Sequence, residues 1–438
     1  MPTRPLLAVA ILVTGRSLPA QEAVRLGESF DPGTRYRVRM RVDLDGRVTV
    51  PTGEKMTPQT VTITGTSSLV YDERVLPPDD ATAEKVIRAY REVEFRRTVA
   101  GREQQAGVRP EVRRMVVLRS ARGKSPFSPD GPLLWSETDV VKNDVFAPAL
   151  VPALLPNRAV KPGDGWPAGP SAVVELTDME KVDDGGFAVK FAAVTTVNDR
   201  RHAKLTIAGT VKGIDAEGPC RHTLDGTAYF DLERNRLAYL SLKGSHELID
   251  PAGKATGRVD GRFVMERSDA GTAEDIGDAK LAGVALSPTA DNSALLYDNA
   301  ELGVRFQYPR RWRVGAVQGR QVTLDGPNGG GILVTVEPAA RVPTADAYRG
   351  EVEGFLKQQK AAVTNAGKPE PVADRPGIER FGLDADVGGE KVRMEYAVLK
   401  AEDGGATVAA RLPRADAGVL GEDVARLVRT LAVTKAIR

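Results

Sequence analysis

The chain has 438 residues, 41% hydrophobic and 27% charged, which is enough for a sizeable core and for two or three domains. Sixty-one Lys and Arg against 59 Asp and Glu leave a formal charge of +2, which excludes a nucleic-acid binder working through a strongly basic field. A single cysteine, Cys220, excludes an internal disulfide, so the fold stands on its apolar core.

The opening residues, MPTRPLLAVAILVTGRSLPAQE, combine Arg4, an unbroken apolar run over 6–13 and a small-residue region at 17–20. The pattern predicts an export signal over 1–20 and a periplasmic or extracellular location. No later stretch approaches the roughly 20 apolar residues of a spanning helix, so no transmembrane segment is expected in the mature chain.

Residues 35–267 read as one antiparallel β-domain. RYRVRMRVDLDGRVTV alternates from Arg35 and predicts a hairpin turning at Asp45-Gly46. Residues 60–71 alternate again, whereas 81–93 place Val86, Ile87 and Tyr90 at helical spacing and predict an amphipathic helix. Further strands are expected at 92–99 and 115–119, followed by an ordered loop or strand crossing that places Trp135. A short apolar helix is expected within 143–155, broken or kinked at Pro152. Five long strands follow at 187–197, 202–211, 220–230, 237–248 and 255–266, joined by tight turns, with the run Asp183-Asp184-Gly185-Gly186 read as turn residues. This is a meander that curves into an open half-barrel. Residues 268–292, rich in Ala, Gly, Asp and Ser without sustained period, are expected to link the domains.

The segment 293–438 changes character. Strands are expected at 304–308, 312–317, 321–324 and 332–337, with GPNGGG (326–331) as the turn between the last two. A helix over 344–363, strands at 378–387, 391–400 and 406–412, and a closing helix burying Leu420, Val424, Leu427, Val428 and Leu431 complete an α+β layer arrangement.

Chemistry concentrates in GPCRHTLDG (218–226). On a strand, Cys220, His222 and Leu224 share a face, in phase with Ala228 and Phe230, and His246 on the next strand shares its phase with Leu240 and Leu242. His222 and His246 can therefore meet. A Cys-His-His metal site is the sharp reading, but it lacks a fourth ligand and any recognised spacing. The plain reading is a buried cysteine acting as a small apolar residue. His202 falls in the polar phase with Lys204 and is expected in solvent. No nucleophile elbow, Walker loop, zincin or dinucleotide fingerprint occurs. GPNGGG leads into a strand rather than a helix N-terminus, so it is a turn and not a phosphate cradle. Arg35, Arg37, Arg39 and Arg41 form a stripe at period two, suited to a polyanion or else paired with acids on neighbouring strands. The inward phases, with Phe187, Phe191, Leu224, Phe230, Leu240 and Leu242, would line an apolar ligand site or simply form core.

Residues from Tyr297 onward, opening YDNAELGVRFQYPRRWRV with Tyr308, Pro309 and Trp312, resemble the PsbP-like family. The resemblance implies an α/β/α sandwich around an antiparallel sheet and a non-enzymatic accessory role, with no catalytic residues to carry over. The stretches PFSPDGPLLW, ALLPNRAVKPGDGW and DGTAYFDLERNRLAYLSLKG are similar to a family of exported bacterial proteins. The long meander is also similar, at the level of fold alone, to the half-barrel of lipoprotein-localisation factors.

Together these readings predict an exported, non-enzymatic, two-part α+β protein without a cofactor, acting as a binding or accessory module in the cell envelope. Its partners would be a lipid or acylated ligand held in the β-domain, or another envelope protein, and not nucleic acid. The alternatives are a metal-dependent or thiol hydrolase centred on His222, His246 and Cys220, and a purely protein-interaction scaffold.

Overall fold

The computed structural model describes residues 23–52, 57–80, 84–120, 123–142 and 144–436; the export signal expected over 1–20 lies outside them. The chain is β-rich and two-part, with open sheets. No helix among the described residues is long and apolar enough to cross a membrane.

The first part is built on long strands: β1 (Arg35–Thr52), β2 (Thr57–Leu76), β3 (Glu84–Val99), β4 (Arg114–Ser120) and β5 (Gly123–Phe127). Three short helices follow, α1 (Trp135–Lys142), α2 (Ala147–Leu154) and α3 (Pro170–Thr177). Then come the meander strands β6 (Lys181–Val197), β7 (Arg200–Asp215), β8 (Gly218–Asp231), β9 (Arg236–Ile249) and β10 (Ala255–Ser268). They form one antiparallel sheet in the order β6-β7-β8-β9-β10-β1-β2-β3-β4-β5, so β10 pairs with β1 and joins the two runs of strands.

Alternation sorts the two faces. Tyr36, Val38 and Met40 of β1, Phe187, Val189 and Phe191 of β6, and Leu240, Leu242 and Met265 are buried in one apolar cluster with Leu150, Val151 and Leu154 of α2 and Ala172 and Val173 of α3. The helices thus fill the inner face of the sheet. Pro148 and Pro152 leave α2 helical, and the Trp166 indole N–H, donating to the Leu154 carbonyl at 3.0 Å, fastens its end.

Three expectations are corrected here. Residues 84–93 are strand and not helix, because β3 is buried on both sides: Val86 and Tyr90 face the main cluster, while Ile87 and Ala89 pack under Ala270, Ala273 and Ile276. A strand covered on both faces loses its period of two and mimics helical spacing. Asp45-Gly46 is no turn, since β1 runs straight through it. Glycine is required there because a Cβ would stand 2.4 Å from the Arg258 carbonyl oxygen and 2.5 Å from Val259 Cα. The run Asp183-Asp184-Gly185-Gly186 lies inside β6, where the register with β7 shifts between Val182 and Asp184 as a bulge and Gly185 takes φ +89°.

The second part holds β11 (Leu295–Asn299), β12 (Val304–Tyr308), β13 (Arg313–Gln318), β14 (Gln321–Asp325), β15 (Gly331–Glu337), α4 (Ala345–Gln358), β16 (Ala362–Ala366), β17 (Ile378–Val387), β18 (Glu390–Ala401), β19 (Gly404–Pro413) and α5 (Ala417–Thr430). Its larger sheet runs β13-β14-β15-β19-β18-β17-β16. Val408, Ala410 and Leu412 of β19 cluster with Leu420, Val424 and Leu427 of α5, while Ala409 joins the cluster of Val352 and Leu356 of α4. The helix expected over 344–363 stops at Gln358, and Lys360 at φ +55° turns the chain into β16. Leu295 and Leu296 of β11 pair in parallel with Leu133 and Leu134, which ties the two parts together.

Candidate metal centre

The β7–β8 hairpin and the paired β9 converge three positions of GPCRHTLDG's surroundings. Register puts Cys220 opposite Gly213 on β7 and Leu248 on β9, and His222 opposite Val211 and His246. The two imidazoles stack with centroids 4.4 Å apart at 30°. A fourth donor comes from Asp215, the last residue of β7. Its Oδ1 accepts the backbone N–H groups of Glu217 (2.9 Å) and Gly218 (3.1 Å), which holds the turn, and its Oδ2 lies 2.8 Å from His246 Nε2.

One donor atom from each of Asp215, Cys220, His222 and His246 lies within 4.8 Å of all the others. A tetrahedron of about 2.0–2.3 Å metal–ligand bonds has edges of roughly 3.3–3.8 Å, so the donors need close in by only about 1 Å. Asp215 and Cys220 are buried and the histidines half-buried. The Nε2 atoms of both histidines are shielded from solvent; that of His222 has no partner among the described residues, and that of His246 faces the Asp215 carboxylate at 2.8 Å. An orphaned imidazole nitrogen such as that of His222 is costly inside a protein unless something takes its lone pair.

The electrostatics fit the same picture. Burial, helped by the Asp215 carboxylate, pushes the Cys220 thiol up to about 12. Burial, then the facing His246 ring, pushes His222 down to about 4. Burial would raise Asp215, but the Cys220 thiol, the Glu217 backbone N–H and His246 outweigh it and hold the carboxyl below its ordinary value. The metal-free centre therefore holds a neutral thiol and a neutral His222 beside a carboxylate, and a cation would draw the thiolate out of it.

A turn aspartate has a plain role as well, and Asp231 repeats the same two backbone bonds at the β8–β9 turn, to Glu233 and Arg234. Only Asp215 has an imidazole nitrogen at its free oxygen. The sequence reading missed it because a DAEG turn looks complete in itself; counting back across the hairpin from Cys220 to Gly213 would have placed it. Met179 packs beside Gly213. Its Sδ lies 2.9 Å from where a Cβ on Gly213 would stand, on the face that Cys220 shares, and the Lys181 carbonyl lies closer still at 2.0 Å.

The other candidates are placed as follows. Phe187, Phe191, Phe230, Leu240 and Leu242 are buried in the main cluster, with Leu224 half-buried against it. Of the arginine stripe, Arg37 forks onto Asp72 (2.7 and 3.2 Å), Arg41 onto Asp43 (2.6 and 2.9 Å), and Arg35 lies 3.5 Å from Asp278; Arg39 is exposed. His202, expected in solvent, is buried, with Nδ1 3.0 Å from the Arg200 carbonyl oxygen, because its ring folds back onto the backbone at the start of β7.

The chain matches no protein-family model and no curated protein sequence. Among solved structures it is similar to cyanobacterial PsbP from Synechocystis sp. PCC 6803, at 15% identity over 32% of this chain and 92% of that one, with a TM-score of 0.25. It is also similar to the Ran-binding protein Mog1p of Saccharomyces cerevisiae, at 9% identity over 32% of this chain and 96% of that one, with a TM-score of 0.26. DynF from the dynemicin biosynthesis pathway of Micromonospora chersina is 10% identical over 61% of this chain and 94% of its own, with a TM-score of 0.14. At such low identities and scores the function has to be argued from the chain's own residues.

Proposed function

We propose that this is an exported, non-enzymatic metal-binding module whose centre is Asp215, Cys220, His222 and His246. The observation that carries the reading is the convergence of one oxygen, one sulfur and two imidazole nitrogens within 4.8 Å, with His222 Nε2 unpartnered among the described residues. Four protein donors fill a tetrahedral shell and leave no open position for a substrate or an activated water, which favours holding a metal over catalysis. Thiolate and imidazole suit the d10 ions Zn2+ and Cu+. The N-terminal apolar run supports export. In this reading the C-terminal part is a sandwich of PsbP-like type serving an accessory role, with α4 and α5 on the two faces of its sheet.

The test is titration of the metal-stripped protein with Zn2+ and, under reducing conditions, Cu+, reading bound metal by elemental analysis and stability by melting. One equivalent is expected, with a stabilisation of about 2.7 kcal/mol at a free metal concentration 100 times the dissociation constant. Cys220→Ser should abolish it. Zinc and copper that bind equally well to Cys220→Ser would sink the reading.

A further inference from the structure

At the opposite end of the β8–β9 hairpin lies a second, different site. Cys220 and Phe230 are ten strand positions apart, so this end stands about 30 Å from the metal donors. Here the start of β1, the end of β10, the turn after Asp231 and the incoming segment 25–34 line a half-open cavity of about 480 Å³. Its walls carry five arginines, Arg25, Arg35, Arg234, Arg236 and Arg267, and a single acid, Glu28.

The acid is already spent. Glu28 Oε1 meets Arg267 at 2.8 Å, and Oε2 takes Arg267 at 3.0 Å and the Leu237 backbone N–H at 2.8 Å. Arg267 is almost fully buried and stacks on Tyr36 (4.1 Å) and Phe30 (5.0 Å), so it forms the fixed floor of the cavity. The other neutralising groups stand outside. Asp269 holds Arg236 at 2.6 Å and Arg234 at 2.9 Å, and Asp278 holds Arg35 at 3.5 Å, but their side chains are 61% and 81% exposed, where water and salt screen the pairing. The Nε atoms of Arg236 and Arg267 are shielded from water and have no hydrogen-bond partner among the described residues. Among the described residues the Arg25 side chain donates to the neutral Asn157 side chain, at 3.1 Å. A surplus of guanidinium groups lining one cavity is matched by a ligand carrying several acceptor oxygens and more than one negative charge.

We propose that this cavity binds a phosphate-bearing ligand, with Arg25, Arg234 and Arg236 forking onto the phosphate above the Arg267–Glu28 floor. The volume lies in the range of small-molecule sites and exceeds what a bare phosphate fills, so the phosphate is carried on an organic group. That chemistry is shared by soluble phosphomonoesters and by phospholipid headgroups. The site does not depend on the metal centre.

The experiment uses the full mature chain without added metal. Calorimetric titration with glycerol 3-phosphate is run beside co-sedimentation with phosphatidylglycerol–phosphatidylcholine vesicles, for wild type, for the Arg25→Gln/Arg236→Gln double variant, and for Arg39→Gln/Arg41→Gln on the exposed stripe outside the cavity. Neither variant alters Arg267, which keeps the fold intact; melting of the free proteins checks this. The cavity variant should lose at least about tenfold in affinity, the loss of one charge-assisted fork, while the stripe variant binds as wild type. Loss seen with glycerol 3-phosphate assigns the site to soluble phosphoesters, and loss seen with vesicles alone assigns it to headgroups. Binding of neither probe, binding undiminished in the cavity variant, or vesicle binding lost only in the stripe variant overturns the proposal.

Discussion

Arg88 shows how much a single side chain can organise. Its guanidinium, fully buried on β3, donates to Glu73 (2.6 Å), Asp144 (2.6 Å) and the Val145 carbonyl (3.1 Å) and lies 4.6 Å from the Tyr71 ring centroid. Tyr36 donates to the other oxygen of Glu73. Replacing Arg88 with Met leaves two carboxylates buried without a cation, so Arg88→Met should cost about 3–5 kcal/mol in a urea titration. Burial is also the main force on Asp144, raising its carboxyl to about 6 although Arg88 pulls the other way. The folded state therefore holds this proton more tightly than the unfolded chain does. The stability Asp144 contributes is full below its ordinary value near pH 3.9 and is lost as pH rises through about 6, on the order of 2–3 kcal/mol in all. Unfolding free energies measured from pH 4 to 7 should show this decline in wild type and a flatter profile in Asp144→Asn. At this scale the sequence was legible for Cys220, His222 and His246, whose shared face follows from period two alone. Asp215, Met179 and Arg88 were not legible, because their partners are set by which strands become neighbours.

Single elements show where pattern reading holds and where it fails. The meander strands β7 to β10 lie where alternation puts them, and so do β12 to β15, β17 to β19 and the closing helix of the second part, because each has one covered and one open face or a stripe of apolar residues. β3 misled because covering both faces erases the alternation. Gly46 misled because a glycine after an aspartate signals a turn, while here it serves the close approach of β10. Two glycines on neighbouring strands separate these roles. A Cβ at Gly46 would meet backbone at 2.4 Å, whereas one at Gly65 on β2 meets nothing closer than 3.6 Å. Gly46→Ala should therefore cost about 3 kcal/mol, and Gly65→Ala should change stability by less than about 0.5 kcal/mol, compared by thermal melting of the two variants.

Across the whole molecule, one apolar cluster runs from Leu26 through Leu133, Phe146 and Leu295 to Leu431. Arg310 of the second part donates to the Pro126 carbonyl of the first and to Ser293 O at 2.8 Å, and Arg114 donates to Lys280 O at 3.1 Å. The segment 270–281, which reads as linker from composition, contributes Ala270, Ala273, Ile276 and Leu281 to a small core under β3 and β4. Continuity of packing predicts a single calorimetric transition whose van't Hoff and calorimetric enthalpies agree; two resolved peaks would contradict it.

The pairing of β10 with β1 also sets an order of events. Val48 must wait for Gly257 and Arg37 for Ser268, partners about two hundred residues downstream, before the sheet has a continuous middle. Until then β1 presents an open row of backbone donors and acceptors to any passing strand. Arg35, Arg37, Arg39 and Arg41 stud that waiting strand with like charge, so two newly made copies that approach in parallel register repel each other along the edge each must keep vacant for its own β10.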